Sequence, residues 1–118
     1  MMLIVVERHA DVCILSVHGR FVTGTDPYYL QAKIEELKSL GCTKVLADLR
    51  DTESIGSTAI GFLVRIYVTA TMSGVDKFVV VTANQRVIDV LELVHLRKAI
   101  QVVSDLESGL AFLRATGG

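Results

Sequence analysis

Three acidic side chains lie close together in the middle of the sequence. Cation binding and acid–base catalysis can both use such a group of acids. Asp48, Asp51 and Glu53 are three acids within six residues, a grouping that could hold a cation or perform acid–base catalysis. The same acids at the carboxyl end of a strand would instead cap the following turn. Because no partner histidine or lysine motif supports catalysis, we interpret them as structural and assign no catalytic residue and no metal site.

The histidines and cysteines give no recognised metal-binding motif. His9, His18 and His95 are predicted in a turn, at a strand end and late in a helix, as surface or helix-end residues. Cys13 and Cys42 form no CxxC motif, and we interpret them as small hydrophobes with free thiols. Free thiols favour a reducing, cytoplasmic location, while the sequence leaves a disulfide between the two cysteines open.

Two hydroxyl residues, Ser57 and Thr58, lie between a predicted buried strand and a predicted helix. This kind of junction is where α/β sheets place ligand and partner sites. A hydroxyl here lies near free backbone N–H groups and the positive end of the helix dipole. It would act either as an N-cap, stabilising the helix by about 1 kcal/mol, or as a phosphorylation site. A phosphate would add a charge of about −1.5 to −2 that the dipole tolerates, so the surface would change sign while the fold is kept.

The nucleotide-binding and hydrolase signatures are incomplete or missing. Gly56 and Gly61 have the glycine spacing of a P-loop, but Phe62 and Leu63 stand where lysine and a hydroxyl are required. No G-x-G-x-x-G follows a predicted strand, and G-x-S-x-G is missing from the sequence. We therefore predict a protein that is not an enzyme and that has no cofactor.

The balance of charged residues argues against nucleic acid and anionic membranes as partners. The 118 residues are 51% hydrophobic, with 12 Lys and Arg against 13 Asp and Glu, so there is no broad positive field for nucleic acid or anionic membranes. No linker or repeat divides the chain, which predicts one domain over residues 1–118. The apolar start, Met1–Val6, is too short for a signal peptide.

The segment Ala59–Met72 is apolar on nearly every side, with Arg65 as its only charge. The charge, together with several Gly, Ser and Thr residues in the wider stretch Ser54–Val75, argues against a membrane span. Such a helix is either deeply buried or covered on one side by a protein partner.

The order of predicted elements indicates an α/β domain with a mixed, mostly parallel sheet of about five strands, an N-terminal hairpin and about four covering helices. The predicted strands are Leu3–Glu7, Val12–Val17, Lys44–Leu49, Lys77–Thr82 and Ala99–Val103. The first helix is predicted from an Asp26 cap and Pro27 to Gly41, with Gly19 and Gly24 bracketing the loop before it. The third helix follows Asn84 with Val87, Leu91 and Val94 on one face, and Ser104–Glu107 has the capping-box form before the fourth.

Four segments together resemble the STAS family, the domain of bacterial anti-sigma factor antagonists, stressosome components and sulfate-transporter C-terminal regions. Val17–Phe21 looks like the family's strand-end glycine followed by a polar and an apolar residue, and Val45–Leu49 looks like its central strand with an Asp near the end. The family signature Asp-Ser-Ser-Gly-Leu-Gly falls on Gly56–Gly61, and Val75–Asn84 is similar to the later strand before helix three. The resemblance covers essentially the whole chain.

The resemblance implies a switchable protein partner. In family antagonists the first signature Ser is phosphorylated by a serine kinase of the ATPase-kinase fold that is itself an anti-sigma factor, and this residue is Ser57 here, with Thr58 as a second candidate. The partner-binding residues carried over are Gly56, Ser57, Thr58, Ile60 and Gly61. The chain departs from the signature at Gly56, which replaces the family's Asp, and at Ala59, which replaces a Gly.

The alternative implied by the same family is a constitutive interaction module, in a stressosome-like assembly or in a membrane-transport complex. In that case the apolar helix is a permanent interface. Neither version involves nucleic acid or direct membrane insertion, and homodimerisation is left open.

Overall fold

In the part of the chain that the structure describes, nine elements follow one another in the order that the sequence predicts. The computed structural model describes residues 2–21, 27–55, 57–93 and 100–114. The strands are β1 (Met2–His9), β2 (Val12–Phe21), β3 (Lys44–Ile55), β4 (Lys77–Val81) and β5 (Gln101–Val103). The helices are α1 (Pro27–Ser39), α2 (Ser57–Met72), α3 (Gln85–Leu93) and α4 (Leu106–Arg114).

The strands form one five-stranded sheet in the order β1-β2-β3-β4-β5. β1 and β2 pair antiparallel as the predicted hairpin, and every other neighbouring pair is parallel. The hairpin turn is Ala10–Asp11, with Ala10 in the left-handed region at φ 58°. The predicted fold class, a single α/β domain with a mixed sheet and an N-terminal hairpin, is confirmed.

The two faces of the sheet are covered unequally. Three helices, α1, α2 and α3, pack on one face over the larger core. Their buried side chains are Leu30, Ile34, Leu37, Phe62, Leu63, Ile66, Ala70, Val87 and Leu91. The other face is covered by α4, whose Leu113 packs with Leu46, Val79 and Val81. β4 is buried on both faces except at its first residue, as its continuous apolar run predicts.

β3 extends well beyond its predicted end. The sequence places the strand over residues 44–49, whereas the observed strand runs to residue 55. The polar residues Asp51 and Thr52 remain in the ladder because they pair with His18 and Gly19 of β2. Asp48, Asp51 and Glu53 therefore lie within the strand, and the prediction that they cap a turn is wrong.

β2 is also longer than predicted and includes Gly19, which was expected to begin a loop. The β2–β3 register shifts between Ser16 and His18 and again between Gly19 and Phe21. Gly19 has φ 97°, a conformation that glycine adopts without strain. Through these register shifts, β2 stays paired with β3 past Gly19 and continues to Phe21.

Helix boundaries follow local chemistry closely. α1 begins at Pro27 as predicted and ends at Ser39, one short turn before Gly41 at φ 64°. The N-cap of α4 is Asp105 and not Ser104, because the Asp105 Oδ1 accepts the Ser108 N–H at 2.7 Å. The predictions that involve Gly24, Asp26, Val94 and His95 lie outside the described residues.

Cys13 and Cys42 are joined by a disulfide, which corrects the interpretation of both as free thiols. Their Cα atoms are 5.9 Å apart, and the two residues are 0% and 5% exposed. Cys13 lies near the start of β2 and Cys42 just after α1, so the bond closes the chain around α1. Because both cysteines are bonded, they do not indicate a reducing compartment.

Candidate functional site at the junction of β3 and α2

The predicted signature segment connects the central strand to the longest helix. β3 lies in the middle of the sheet, paired with β2 and β4, and α2 begins two residues after it at Ser57. Ser57, Thr58 and Ile60 are therefore in the first turn of α2, as predicted. Gly56 and the side chains of residues 53–60 lie outside the described part of the structure.

α2 is buried on one side and open on the other. Phe62, Leu63, Ile66 and Ala70 are fully packed into the larger core. The opposite side carries Gly61, Arg65, Val68 and Met72, which we call the exposed α2 face. Val68 is 46% exposed and Met72 83%. The sequence left burial and partner contact as alternatives, and the helix combines a buried face with an uncovered one.

Position 57 lies on the same line of the helix as the exposed α2 face. Residues three or four apart are neighbours on a helix surface, and the spacing from 57 to 61, 65, 68 and 72 follows that rule. A charge introduced at Ser57 would therefore lie at the end of this face nearest the sheet's carboxyl edge.

α1 extends the exposed α2 face sideways. The Arg65 Nη2 donates a hydrogen bond to the Gln31 Oε1 of α1, so the two helices are linked at the surface as well as through the core. Tyr28, one turn before Gln31, is 85% exposed. The start of α1 and the exposed α2 face thus together present an aromatic side chain, a cation and two apolar side chains.

On β3, Asp48 is held by Arg50. The Arg50 Nε donates to the Asp48 Oδ1 at 2.9 Å and its Nη2 to the Oδ2 at 2.8 Å, while the Arg50 backbone N–H also reaches Oδ1 at 3.1 Å. Burial opposes ionisation of Asp48, but the hydrogen bonds from Arg50 outweigh it and lower the pKa of Asp48. The same contact raises the pKa of Arg50.

Asp51 is paired with His18 across the β2–β3 ladder, with the His18 Nδ1 and the Asp51 Oδ2 2.9 Å apart. Asp48 and Asp51 are therefore engaged with separate basic groups. Within the described residues, no group of three His, Cys, Asp or Glu side chains could hold a metal ion. Arg50 was not predicted from the sequence because the predicted strand ended at Leu49, whereas in the longer observed strand Arg50 is two positions from Asp48 and shares its face.

No helix of the described part of the chain is long and apolar enough to cross a membrane. A family model of the STAS domain matches residues 4–109. The chain belongs to the STAS domain family. No protein of curated function matches the sequence.

Solved structures similar to this STAS domain include several anti-sigma factor antagonists. One from Mycobacterium paratuberculosis is 24% identical with a TM-score of 0.83, and the match covers 98% of this chain and 96% of that one. A putative antagonist from Thermotoga maritima is 23% identical, with a TM-score of 0.78 and 95% of each chain covered. The unphosphorylated antagonist SpoIIAA is 10% identical, with a TM-score of 0.68 over 95% of this chain and 96% of that one. At these identities the likeness establishes the shared fold.

Proposed function

We propose that this STAS domain is an anti-sigma factor antagonist-like regulator. In this proposal it binds a serine kinase of the ATPase-kinase fold that acts as an anti-sigma factor, and phosphorylation at Ser57 switches the binding off. The observation that carries the proposal is the exposed α2 face, in line with Ser57. An exposed helix face that carries apolar side chains and has a modifiable hydroxyl at its N-terminal end suits a contact that must form and dissociate.

Charge is the physical basis of the switch. A phosphate at position 57 would add about −1.5 to −2 charge at one end of the exposed α2 face, and burying that charge against a partner is costly. The helix dipole offsets part of this charge in the free protein. SpoIIAA has been solved in unphosphorylated and phosphorylated forms, with TM-scores to this chain of 0.68 and 0.67, which supports a switch that leaves the fold unchanged.

The proposed role is regulatory and not enzymatic, and it places the protein in the cytoplasm because the partner kinase needs ATP. Gly56, Thr58, Ile60 and Gly61 complete the proposed contact around Ser57. Thr58 is the second candidate acceptor. Gly56 removes the acid that the family signature has before the modified serine, so the partner kinase would recognise a less acidic site.

The test measures phosphorylation and binding separately. The protein is incubated with cell extract and ATP, and intact mass followed by peptide mapping locates any phosphate. We expect one phosphate in the wild type and in Thr58→Ala, and none in Ser57→Ala. Modification that persists in Ser57→Ala and disappears in Thr58→Ala would move the switch to Thr58.

Binding to the kinase so identified is then compared between Ser57→Asp and the wild type. We expect Ser57→Asp to bind at least about tenfold more weakly, a loss of roughly 1.4 kcal/mol, with an unchanged circular dichroism spectrum. Val68→Asp should also weaken binding, whereas Leu3→Asp, at another exposed apolar residue on β1, is the matched control. A partner that co-purifies stably and is insensitive to ATP would favour the constitutive module instead, in a stressosome-like or membrane-transport complex.

A further inference from the structure

The helices that follow β2, β3 and β4 all pack on one face of the sheet, whereas the helix that follows β5 packs on the other face. The connections from β2, β3 and β4 lead to α1, α2 and α3 over the larger core, whereas β5 leads to α4 on the opposite face. β4 and β5 are adjacent and parallel, so the chain diverges at their carboxyl ends. In α/β sheets a divergence of this kind opens a crevice in which ligands bind.

A cleft of about 470 Å³ lies at this point. It is bordered by the residues that end β4 and β5, by Ile88 of α3 and by Ser108 of α4. Small-molecule sites have volumes of about 300–1,000 Å³. The cleft is therefore large enough for a compact ligand, and it is separate from the exposed α2 face.

The walls of the cleft are aliphatic. Ala83, Ile88, Val102 and Val103 line it, and Val102 and Val103 belong to the two different faces of the sheet. An apolar body could lie against these side chains and exclude water from them.

The two serines of the polar lining can accept hydrogen bonds, whereas the hydroxyl oxygen of Thr82, the other polar residue of the lining, already accepts the Asn84 N–H at 3.2 Å. The Ser108 Oγ donates to the Asp105 Oδ2 at 3.1 Å, and the Ser104 Oγ is 3.4 Å from the same oxygen. Because both hydroxyl hydrogens are directed at Asp105, the lone pairs of Ser104 and Ser108 are left to accept. A ligand with an N–H or O–H group complements this arrangement.

An anion is poorly suited to the cleft. The Asp105 carboxylate carries a negative charge beside the two serines, and it already accepts the N–H of Ser108 at the start of α4. At the start of α3, the Arg86 N–H donates to the Asn84 Oδ1. Both helix N-termini that face the cleft thus have a backbone donor already engaged by the protein.

We propose that the cleft between the carboxyl ends of β4 and β5 binds an uncharged small molecule with an apolar body and a hydrogen-bond donor. The proposal does not rest on the anti-sigma antagonist role, since none of its residues belongs to the proposed partner surface. In this proposal the domain has a second binding site, for a metabolite, which lies on the carboxyl edge of the sheet away from Ser57.

The experiment titrates the isotope-labelled protein with benzamide and separately with benzoate, which has a similar shape and carries a negative charge in place of the amide. Amide resonances are followed by two-dimensional NMR. We expect benzamide to shift the resonances of residues 82–83, 102–104 and 108 saturably, with a Kd on the order of 1 mM. Benzoate should bind roughly tenfold more weakly because its charge lies near Asp105.

Two matched variants locate the binding. Ala83→Phe fills the mouth of the cleft from an exposed position, and Ala32→Phe makes the same change on the exposed side of α1. Benzamide shifts should be lost in Ala83→Phe and kept in Ala32→Phe, with both variants folded by their spectra. The site is overturned by an absence of saturable shifts, or by shifts that survive in Ala83→Phe, and equal binding of benzoate overturns the assignment to uncharged ligands.

Discussion

Of the two β3 carboxylates whose side chains the structure describes, Asp48 has the more extensive contacts. Three hydrogen bonds from Arg50 reach its two oxygens, and its side chain is only 13% exposed. A carboxylate in this environment is stabilised as the anion although burial alone would favour the protonated form. The pair therefore contributes to stability through the charge of Asp48.

The stability contribution of Asp48 should depend on pH. The folded-state pKa of Asp48 lies below its ordinary value of 3.8, so the contribution is complete above that value and is lost as the pH falls through the folded-state pKa. Asp48→Asn should lower the free energy of unfolding by about 1–2 kcal/mol at neutral pH. Urea unfolding at pH 7 and at low pH measures the difference, which should shrink in acid. A penalty that is equal at both pH values would contradict the assignment to charge.

At the residue scale, the sequence predicted the place of a residue in its helix or strand better than it predicted contacts between side chains. Ser57 was expected at a helix start and it is the first residue of α2. The Asp48–Arg50 pair was not predicted, because the predicted strand ended at Leu49 and left Arg50 outside it, where strand alternation does not apply. Once β3 is known to continue, the two residues fall on one face.

At the scale of elements, α4 depends on one small residue to reach the sheet. Gly109 is buried in α4, and a Cβ added there would lie 2.9 Å from the Val81 Cγ2 and 3.0 Å from the Leu46 Cδ1. These methyl groups belong to fully buried side chains. The helix would have to move away from the sheet to accept a larger residue.

Gly109→Ala should therefore destabilise the domain although alanine is the better helix former. Overpacking a core typically costs about 1–3 kcal/mol, and the gain in helix propensity offsets about 1 kcal/mol of it. Gly61→Ala is the control: the added Cβ meets nothing within 4 Å, so this variant should be more stable than wild type by up to about 1 kcal/mol. Urea denaturation of both compares the signs, and stabilisation by Gly109→Ala would show that α4 is not held this closely.

Elements with a regular apolar pattern were predicted well, and those that depend on tertiary pairing were not. α1 and β4 follow from the spacing of their buried residues. The last six residues of β3 are polar enough to suggest a loop, and their strand conformation comes from the ladder with β2. Likewise, Gly19 was expected to start a loop because a bulge cannot be recognised from one strand alone.

At the scale of the whole molecule, the disulfide is the feature that sequence spacing could not decide. Cys13 and Cys42 are 29 residues apart, and they come together because the parallel pairing of β2 with β3 sets Cys13 opposite Val45, three residues after Cys42. The topology, in contrast, follows from the alternation of strands and helices, because right-handed crossovers leave few arrangements for a parallel sheet.

Removing the disulfide should lower global stability. Closing a loop of this length restricts the unfolded chain and stabilises the folded state by about 3.6 kcal/mol. Protein that is reduced while unfolded and then refolded in reductant should unfold at lower urea concentration than the oxidised protein. The Cys13→Ala/Cys42→Ala double variant should be insensitive to reductant, and titration of two free thiols in the native oxidised preparation would contradict the bond.

Each strand of the sheet lies beside the strand that precedes it in the chain. Synthesis from the N-terminus therefore supplies the strands in the order in which the sheet adds them, beginning with the β1–β2 hairpin. No later strand is inserted between two earlier ones. Strand pairing is therefore local in sequence, which limits the exposure of unpaired strand edges during folding. The strands that have left the ribosome can therefore pair with one another before synthesis of the remaining strands is complete.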